Sequence, residues 1–179
     1  MNKKERLKQI ILEKSLKKGD FTLASGAKSN YLFDLKTTLL DAEGANLAGS
    51  LVLDKIPSNI NAVGGLELGA CPIVSAVCVL SFQNNRSLKT FYVRKEKKDR
   101  GTNQLIEGCN LNAGEEVIIL EDVTTKGGSA MKAVEIVKNL GCKVNKIISI
   151  VDRQEGASEN LKFEGIELEA IFTRDELLK

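Results

Sequence analysis

The run Glu121-Asp122-Val123-Thr124-Thr125-Lys126-Gly127-Gly128-Ser129 gathers the residue types needed to grip a sugar phosphate. Two adjacent carboxylates can reach ribose hydroxyls or the water shell of a magnesium ion. The small residues behind them let backbone N–H groups curl around a phosphate at a helix N-terminus, where the helix dipole also favours negative charge. Thr124, Thr125 and Ser129 add hydroxyl donors. A ligand-free strand, turn and helix would account for Gly-Gly-Ser alone, but it gives no reason for the acidic pair directly upstream. A Walker loop is excluded because no GxxxxGK[ST] occurs, and Gly64-Gly65-x-x-x-Gly69 does not match GxGxxG.

A second concentration of chemistry is the basic stretch from Arg94 through Lys95 and Lys98 to Arg100, too charged to lie in a core. The chain has no histidine, so Ser-His, Cys-His and His-metal sites are excluded. Catalysis must then rest on carboxylates, lysine or arginine, backbone amides or a hard cation. The 26 basic against 24 acidic side chains leave a net charge of +2, which makes no global case for nucleic-acid binding. Clusters such as Lys3-Lys4-Arg6 read as solvated helix surface. No apolar run approaches the ~20 residues of a membrane span and no signal-peptide h-region opens the chain, so a cytoplasmic protein without membrane partners is expected. Cys71, Cys78, Cys109 and Cys142 form no CxxC pair and read as reduced, small hydrophobes.

These residues need a scaffold. Residues 2–18 place Leu7, Ile10, Ile11 and Leu16 near one face among lysines, which predicts an amphipathic helix. Residues 21–24, a Ser25-Gly26 turn and residues 31–35 suggest a small strand pair. Helices are expected over 41–53 and 72–82, and strands over 60–63 and 90–93. A long loop should cover 95–103. The β-branched run Val117-Ile118-Ile119-Leu120 reads as a buried parallel strand. A helix from Gly127-Gly128 to Leu140 follows, ended by Gly141, with strands over 146–151 and 168–172. This alternation from about residue 42 predicts an α/β fold. In it a parallel sheet is covered by helices (41–179), and a small N-terminal hood (1–40) caps it, all in one domain.

Residues 117–130 resemble the phosphoribosyl-pyrophosphate signature of the type I phosphoribosyltransferases. Further matches are similar to the orotate-specific branch of that family. Phe21-Thr22-Leu23-Ala24-Ser25-Gly26, followed by Lys28-Ser29-Asn30-Tyr31, resembles its hood segment. Gly64-Gly65-Leu66-Glu67-Leu68-Gly69-Ala70 resembles its pyrophosphate loop. Val93-Arg94-Lys95-Glu96-Lys97-Lys98-Asp99-Arg100-Gly101 resembles its catalytic loop, and Val151-Asp152-Arg153-Gln154-Glu155-Gly156 its closing signature.

The resemblance implies transfer of a phosphoribosyl group from phosphoribosyl pyrophosphate to orotate, with Mg2+ held mainly by substrate and water, near Asp122. It implies Lys98, Arg100 and Asp122 as catalytic residues. Arg94, Lys95, Lys98, Glu121, Asp122, Thr124, Thr125, Lys126, Gly127, Gly128 and Ser129 would bind phosphoribosyl pyrophosphate, and Tyr31, Phe33, Thr125 and Arg153 the orotate. A homodimer sharing its catalytic loops between subunits is also implied.

Four positions depart from the family pattern. Arg100 stands where histidine is usual and cannot take part in proton transfer at neutral pH. Ala24 and Leu68 stand where some members carry lysine, and Glu67 puts a negative charge beside the pyrophosphate loop. Lys126 replaces a small residue. Two other readings stay open here, a phosphoribosyltransferase for another base and a non-catalytic phosphoribosyl-pyrophosphate sensor.

Overall fold

A computed structural model describes residues 1–22, 26, 28–96 and 104–179. Ala24 and the Ser25 of the expected turn lie outside the described residues.

The chain opens with α1 (Lys3–Lys14), started by a capping box in which the Asn2 side chain accepts from Glu5 N at 2.8 Å. The helix ends four residues before its pattern predicts. Ser15 turns the chain, its hydroxyl 2.6 Å from that of Thr38, and β1 (Leu16–Thr22) pairs antiparallel with β2 (Lys28–Phe33). Two helices follow, α2 (Lys36–Leu39) and α3 (Ala42–Leu53). Asp41 caps α3 by accepting from Gly44 N at 3.0 Å.

The main sheet holds β3 (Ala62–Leu66), β4 (Lys89–Val93), β5 (Ile106–Gly108), β6 (Glu116–Thr124), β7 (Lys143–Asp152) and β8 (Glu167–Thr173) in the order β5-β4-β3-β6-β7-β8. Every pairing is parallel except that of β4 with the short edge strand β5. Four helices complete the chain: α4 (Cys71–Gln83), α5 (Gly128–Asn139), α6 (Ala157–Phe163) and α7 (Arg174–Leu178). Among the described residues no helix is long and apolar enough to cross a membrane.

Alternation along β6 explains the layers. Ile118 and Leu120 enter one apolar cluster with residues of α1, α3 and α4, while Val117 and Ile119 enter a second with residues of α5 and α6. The sheet is therefore buried on both faces, which is why its central strands read as continuous apolar runs. Each such side chain contributes roughly 1.5–3 kcal/mol by burial. α1 belongs to this packing, since Leu7 and Ile11 share the cluster with Ile118 and Leu120, whereas the β1–β2 hairpin is mostly exposed along β1.

The strand order also locates a crevice. From β3 the chain builds outward through β4, then returns to β6 and builds the other way through β7 and β8. The reversal falls between β3 and β6, and ligands of open α/β sheets bind outside the carboxyl ends of strands at such a point.

Candidate active site

The carboxyl ends of β3 and β6 deliver two segments to this crevice. β6 runs through Thr124, four residues past the expected strand, so Glu121 and Asp122 are strand residues and alternate in direction. Glu121 is only 5% exposed. One of its carboxylate oxygens accepts from Asp122 N at 3.3 Å, and Oε2 is buried without a hydrogen-bond partner. Burial and, next, the neighbouring Asp122 charge hold its carboxyl well above the usual carboxylate range, while Lys95 opposes them. Asp122 is half-buried beside the β3 segment. A Cβ at Gly69 would stand 2.7 Å from its Oδ1, so any larger residue there would push the carboxylate aside.

Behind the carboxylates, Gly127 takes the left-handed conformation (φ 85°) and opens α5 without a side-chain cap. The first N–H groups of α5 therefore have no side-chain cap of their own, as an anion site requires. Gly128 and Ser129 are exposed, Thr125 is half-buried, and Lys126 is exposed with its carbonyl accepting from Asn160 Nδ2 at 3.0 Å. Thr124 does not join them. Its side chain is buried, and its hydroxyl points to Val151 O at 3.4 Å and Ser149 Oγ at 3.5 Å. In this structure the Thr124 hydroxyl, expected to donate to a phosphate, is directed to the β6–β7 seam.

At the end of β4, Arg94 N donates to Leu105 O at 2.8 Å and its guanidinium lies 4.0 Å from Glu67 and 3.9 Å from Glu107. Lys95 N donates to Glu67 Oε1 at 2.9 Å, and Lys132 Nζ donates to Lys95 O at 2.7 Å. Glu67 thus faces the stem of the basic stretch with Arg94 beside it, which offsets the repulsion of pyrophosphate its charge would cause. Lys98 and Arg100 lie outside the described residues.

On the far side of the crevice Arg153 is 2% exposed. Its Nε donates to Glu155 at 2.7 Å and its Nη2 to Ser29 Oγ at 3.1 Å, and the guanidinium lies 4.6 Å from the Tyr31 ring centroid. Tyr31 meets Phe33 edge-on at 5.5 Å. Phe33 itself is buried in the main apolar cluster. The structure thus places Phe33, expected to contact orotate, under Tyr31 and in the core.

Three participants escaped the sequence reading. Lys36 contacts Asp34 at 2.7 Å, and its ammonium pKa is raised first by that partner and further by the charge of Asp122. Ser29 and Glu155 hold Arg153. Nothing in their spacing signals these roles, since each depends on residues far away or on a tight turn.

A switch-point crevice with an acidic pair, an uncapped helix N-terminus and a buried arginine has the donors that an anionic sugar phosphate needs. The chain belongs to the phosphoribosyl transferase domain family, whose model matches residues 36–175. Within it the similarity is to the orotate enzymes. The chain is 44% identical to the orotate phosphoribosyltransferase of Nostoc sp. over 170 residues, 95% of this chain and 82% of that one. It is 41% identical to that of Bradyrhizobium diazoefficiens over 178 residues, covering 97% and 95% of the two chains. Among solved structures it resembles orotate phosphoribosyltransferase of Mycobacterium tuberculosis, with a TM-score of 0.85 and 31% identity, covering 99% of this chain and 100% of that one. A complex of the Mycobacterium tuberculosis enzyme with 5-phospho-alpha-D-ribosyl 1-diphosphate matches with a TM-score of 0.81 and 30% identity, covering 98% of this chain and 99% of that one.

Proposed function

We infer that the chain is an orotate phosphoribosyltransferase, a pentosyltransferase of pyrimidine nucleotide biosynthesis. It moves the phosphoribosyl group of 5-phosphoribosyl 1-diphosphate to orotate, giving orotidine 5′-phosphate and diphosphate. In this reaction the bond from C1′ to the diphosphate oxygen breaks and a bond from C1′ to the pyrimidine nitrogen forms. The observation that carries the choice of base is Arg153, a buried and clamped guanidinium that offers a planar fork to a carboxylated pyrimidine.

The uncapped start of α5, with Thr125, Gly127, Gly128 and Ser129, would hold the 5′-phosphate, and Glu121 and Asp122 the ribose hydroxyls. Arg94 and Lys95, with Lys98 and Arg100 as the resemblance implies, would neutralise the diphosphate as it leaves. Little covalent chemistry falls to the protein, so a site without histidine suffices. The carboxylate pair supplies oxygen donors at the crevice, with Glu121 Oε2 buried and unpartnered. Hard oxygen ligands suit magnesium, which keeps several waters and substrate oxygens, so Asp122 is the side chain that would help hold it. Bound there, the ion would supply charge neutralisation for the diphosphate.

A homodimer is part of this proposal. α4 contains no charged residue, yet Val79 and Phe82 on it are 58% and 74% exposed. An apolar helix left open to water suits a second copy of the chain. The four free cysteines suit a reducing compartment, which supports the cytoplasm.

The deciding experiment follows orotate absorbance during incubation with phosphoribosyl pyrophosphate, with and without magnesium, on protein whose mass is measured by sedimentation. Magnesium-dependent consumption by a dimer is the expected result. Calorimetric binding of phosphoribosyl pyrophosphate without orotate turnover would move the assignment to another base or to a sensor.

A further inference from the structure

Arg153 is usable for recognition only if its guanidinium is aimed, and the structure shows how the aim is set. Arginine carries five N–H donors in a rigid plane. Nε is taken by Glu155 at 2.7 Å and one donor of Nη2 by Ser29 at 3.1 Å, while the flat face rests 4.6 Å from the Tyr31 ring centroid. Among the described residues the remaining donors, those of Nη1 and the second of Nη2, take no protein acceptor. These form the outer edge of the fork.

The backbone makes the Glu155 contact possible. Arg153 N donates to Thr124 O at 2.9 Å, which ties the residue to the end of β6. Asp152 Oδ1 then accepts from Gln154 N at 2.9 Å, and Gln154 adopts φ 57°. This tight turn folds the Glu155 carboxylate back onto a guanidinium only two residues earlier. Both side chains are substantially buried, with exposures of 3% for Arg153 and 23% for Glu155. A buried guanidinium whose Nε had no acceptor would be disfavoured.

We propose that Glu155 is a positioning residue that sets affinity for the base, acting through the orientation of Arg153, with Ser29 as its lesser partner. The inference rests on the orotate reading above and deepens it. Glu155 consumes the inner donor of the fork and leaves its outer edge for an anionic planar base. Its contact is with Arg153, across the crevice from the start of α5, so its effect should fall on the base.

The test compares Glu155→Ala, Glu155→Gln and Ser29→Ala with the unmodified enzyme, measuring KM for orotate and for phosphoribosyl pyrophosphate separately, with a melting curve for each. Glu155→Gln keeps an oxygen that accepts from Nε, so it should stay within about threefold of the unmodified enzyme for orotate. Glu155→Ala should raise the orotate KM by about tenfold and leave the phosphoribosyl-pyrophosphate KM within about twofold. Ser29→Ala should fall between them, at about threefold. Three results would overturn the proposal: no change in Glu155→Ala, equal losses for both substrates, or Gln as damaging as Ala. An unmodified enzyme that neither binds nor consumes orotate would sink the orotate reading and this proposal together, which separates that failure from failure of Glu155 alone.

Discussion

The two sides of the crevice are built by opposite means. On the phosphate side, consecutive residues from 121 to 129 supply carboxylates, a left-handed glycine and the exposed start of α5. On the base side, side chains from residues 29, 31, 153 and 155 converge on one buried guanidinium. The first would bind, as proposed, largely through backbone groups that any sequence with the right turn can present. The second would bind through a charge that burial makes costly and partners make tolerable. Substitutions should therefore weaken the phosphate side by degrees and collapse the base side at once.

Arg153→Ala is the sharpest way to expose that contrast. It removes the fork and leaves Glu155 half-buried beside a void, so orotate affinity should fall at least ~100-fold, with a stability loss of about 2–3 kcal/mol. Phosphoribosyl-pyrophosphate affinity should change less than about threefold. Calorimetry with each ligand and a denaturant curve check this, and a parallel loss of both affinities would erase the distinction between the sides. Asp122→Asn should act in the opposite sense, weakening phosphoribosyl pyrophosphate about tenfold and sparing orotate affinity. Unchanged phosphoribosyl-pyrophosphate binding would remove Asp122 from the site.

Glu121 breaks the symmetry of the comparison, since it brings a buried charge to the phosphate side. Its carboxyl pKa is raised in the folded protein above the ordinary 4.5. Above that ordinary value the unfolded chain has lost a proton that the folded chain still holds. Stability therefore falls as pH rises from about the unfolded value through the raised folded one. Glu121→Gln should flatten this slope and raise the melting temperature at pH 7 by about 3 °C, the shift that ~1 kcal/mol gives a chain of this size. Activity should fall in the same variant. A melting temperature that stays put, or a slope that persists, would show that Glu121 is not the group responsible.

The contrast also explains how much was legible in the sequence. The strand β6, the helix α5 with its Gly141 stop, and the helix expected over 41–53 follow from local periodicity and glycine chemistry, and the structure has them. The acidic pair and the turn at Gly127 were readable for the same reason. The sequence reading ended β6 at Leu120, four residues short, because the polar residues beyond it break the apolar run. The three-residue strand β5 has too few residues to carry a period. The short helix α7 was missed although Thr173 and Glu176 form a readable capping box. The burial of Phe33 was not legible, because an aromatic residue in a short hairpin strand carries no sign of which way it faces. Lys36, Ser29 and Glu155 acquire their roles only when the sheet and hairpin meet.

The smallest expected effect belongs to Lys126, and it decides what kind of contact the phosphate side makes. Its side chain is exposed, while its carbonyl is held by Asn160. Lys126→Ala keeps that backbone bond, so stability should stay within about 0.5 kcal/mol. If the lysine supplies charge to the phosphate, the phosphoribosyl-pyrophosphate KM should rise about twofold at low salt, and the difference should vanish near 1 M salt, where the Debye length is ~3 Å. A KM unchanged at every ionic strength would mean that backbone groups and the acidic pair hold the sugar phosphate unaided. A change that persists at high salt would instead mean that the side chain shapes the turn, and the phosphate side would then share the geometric dependence of the base side.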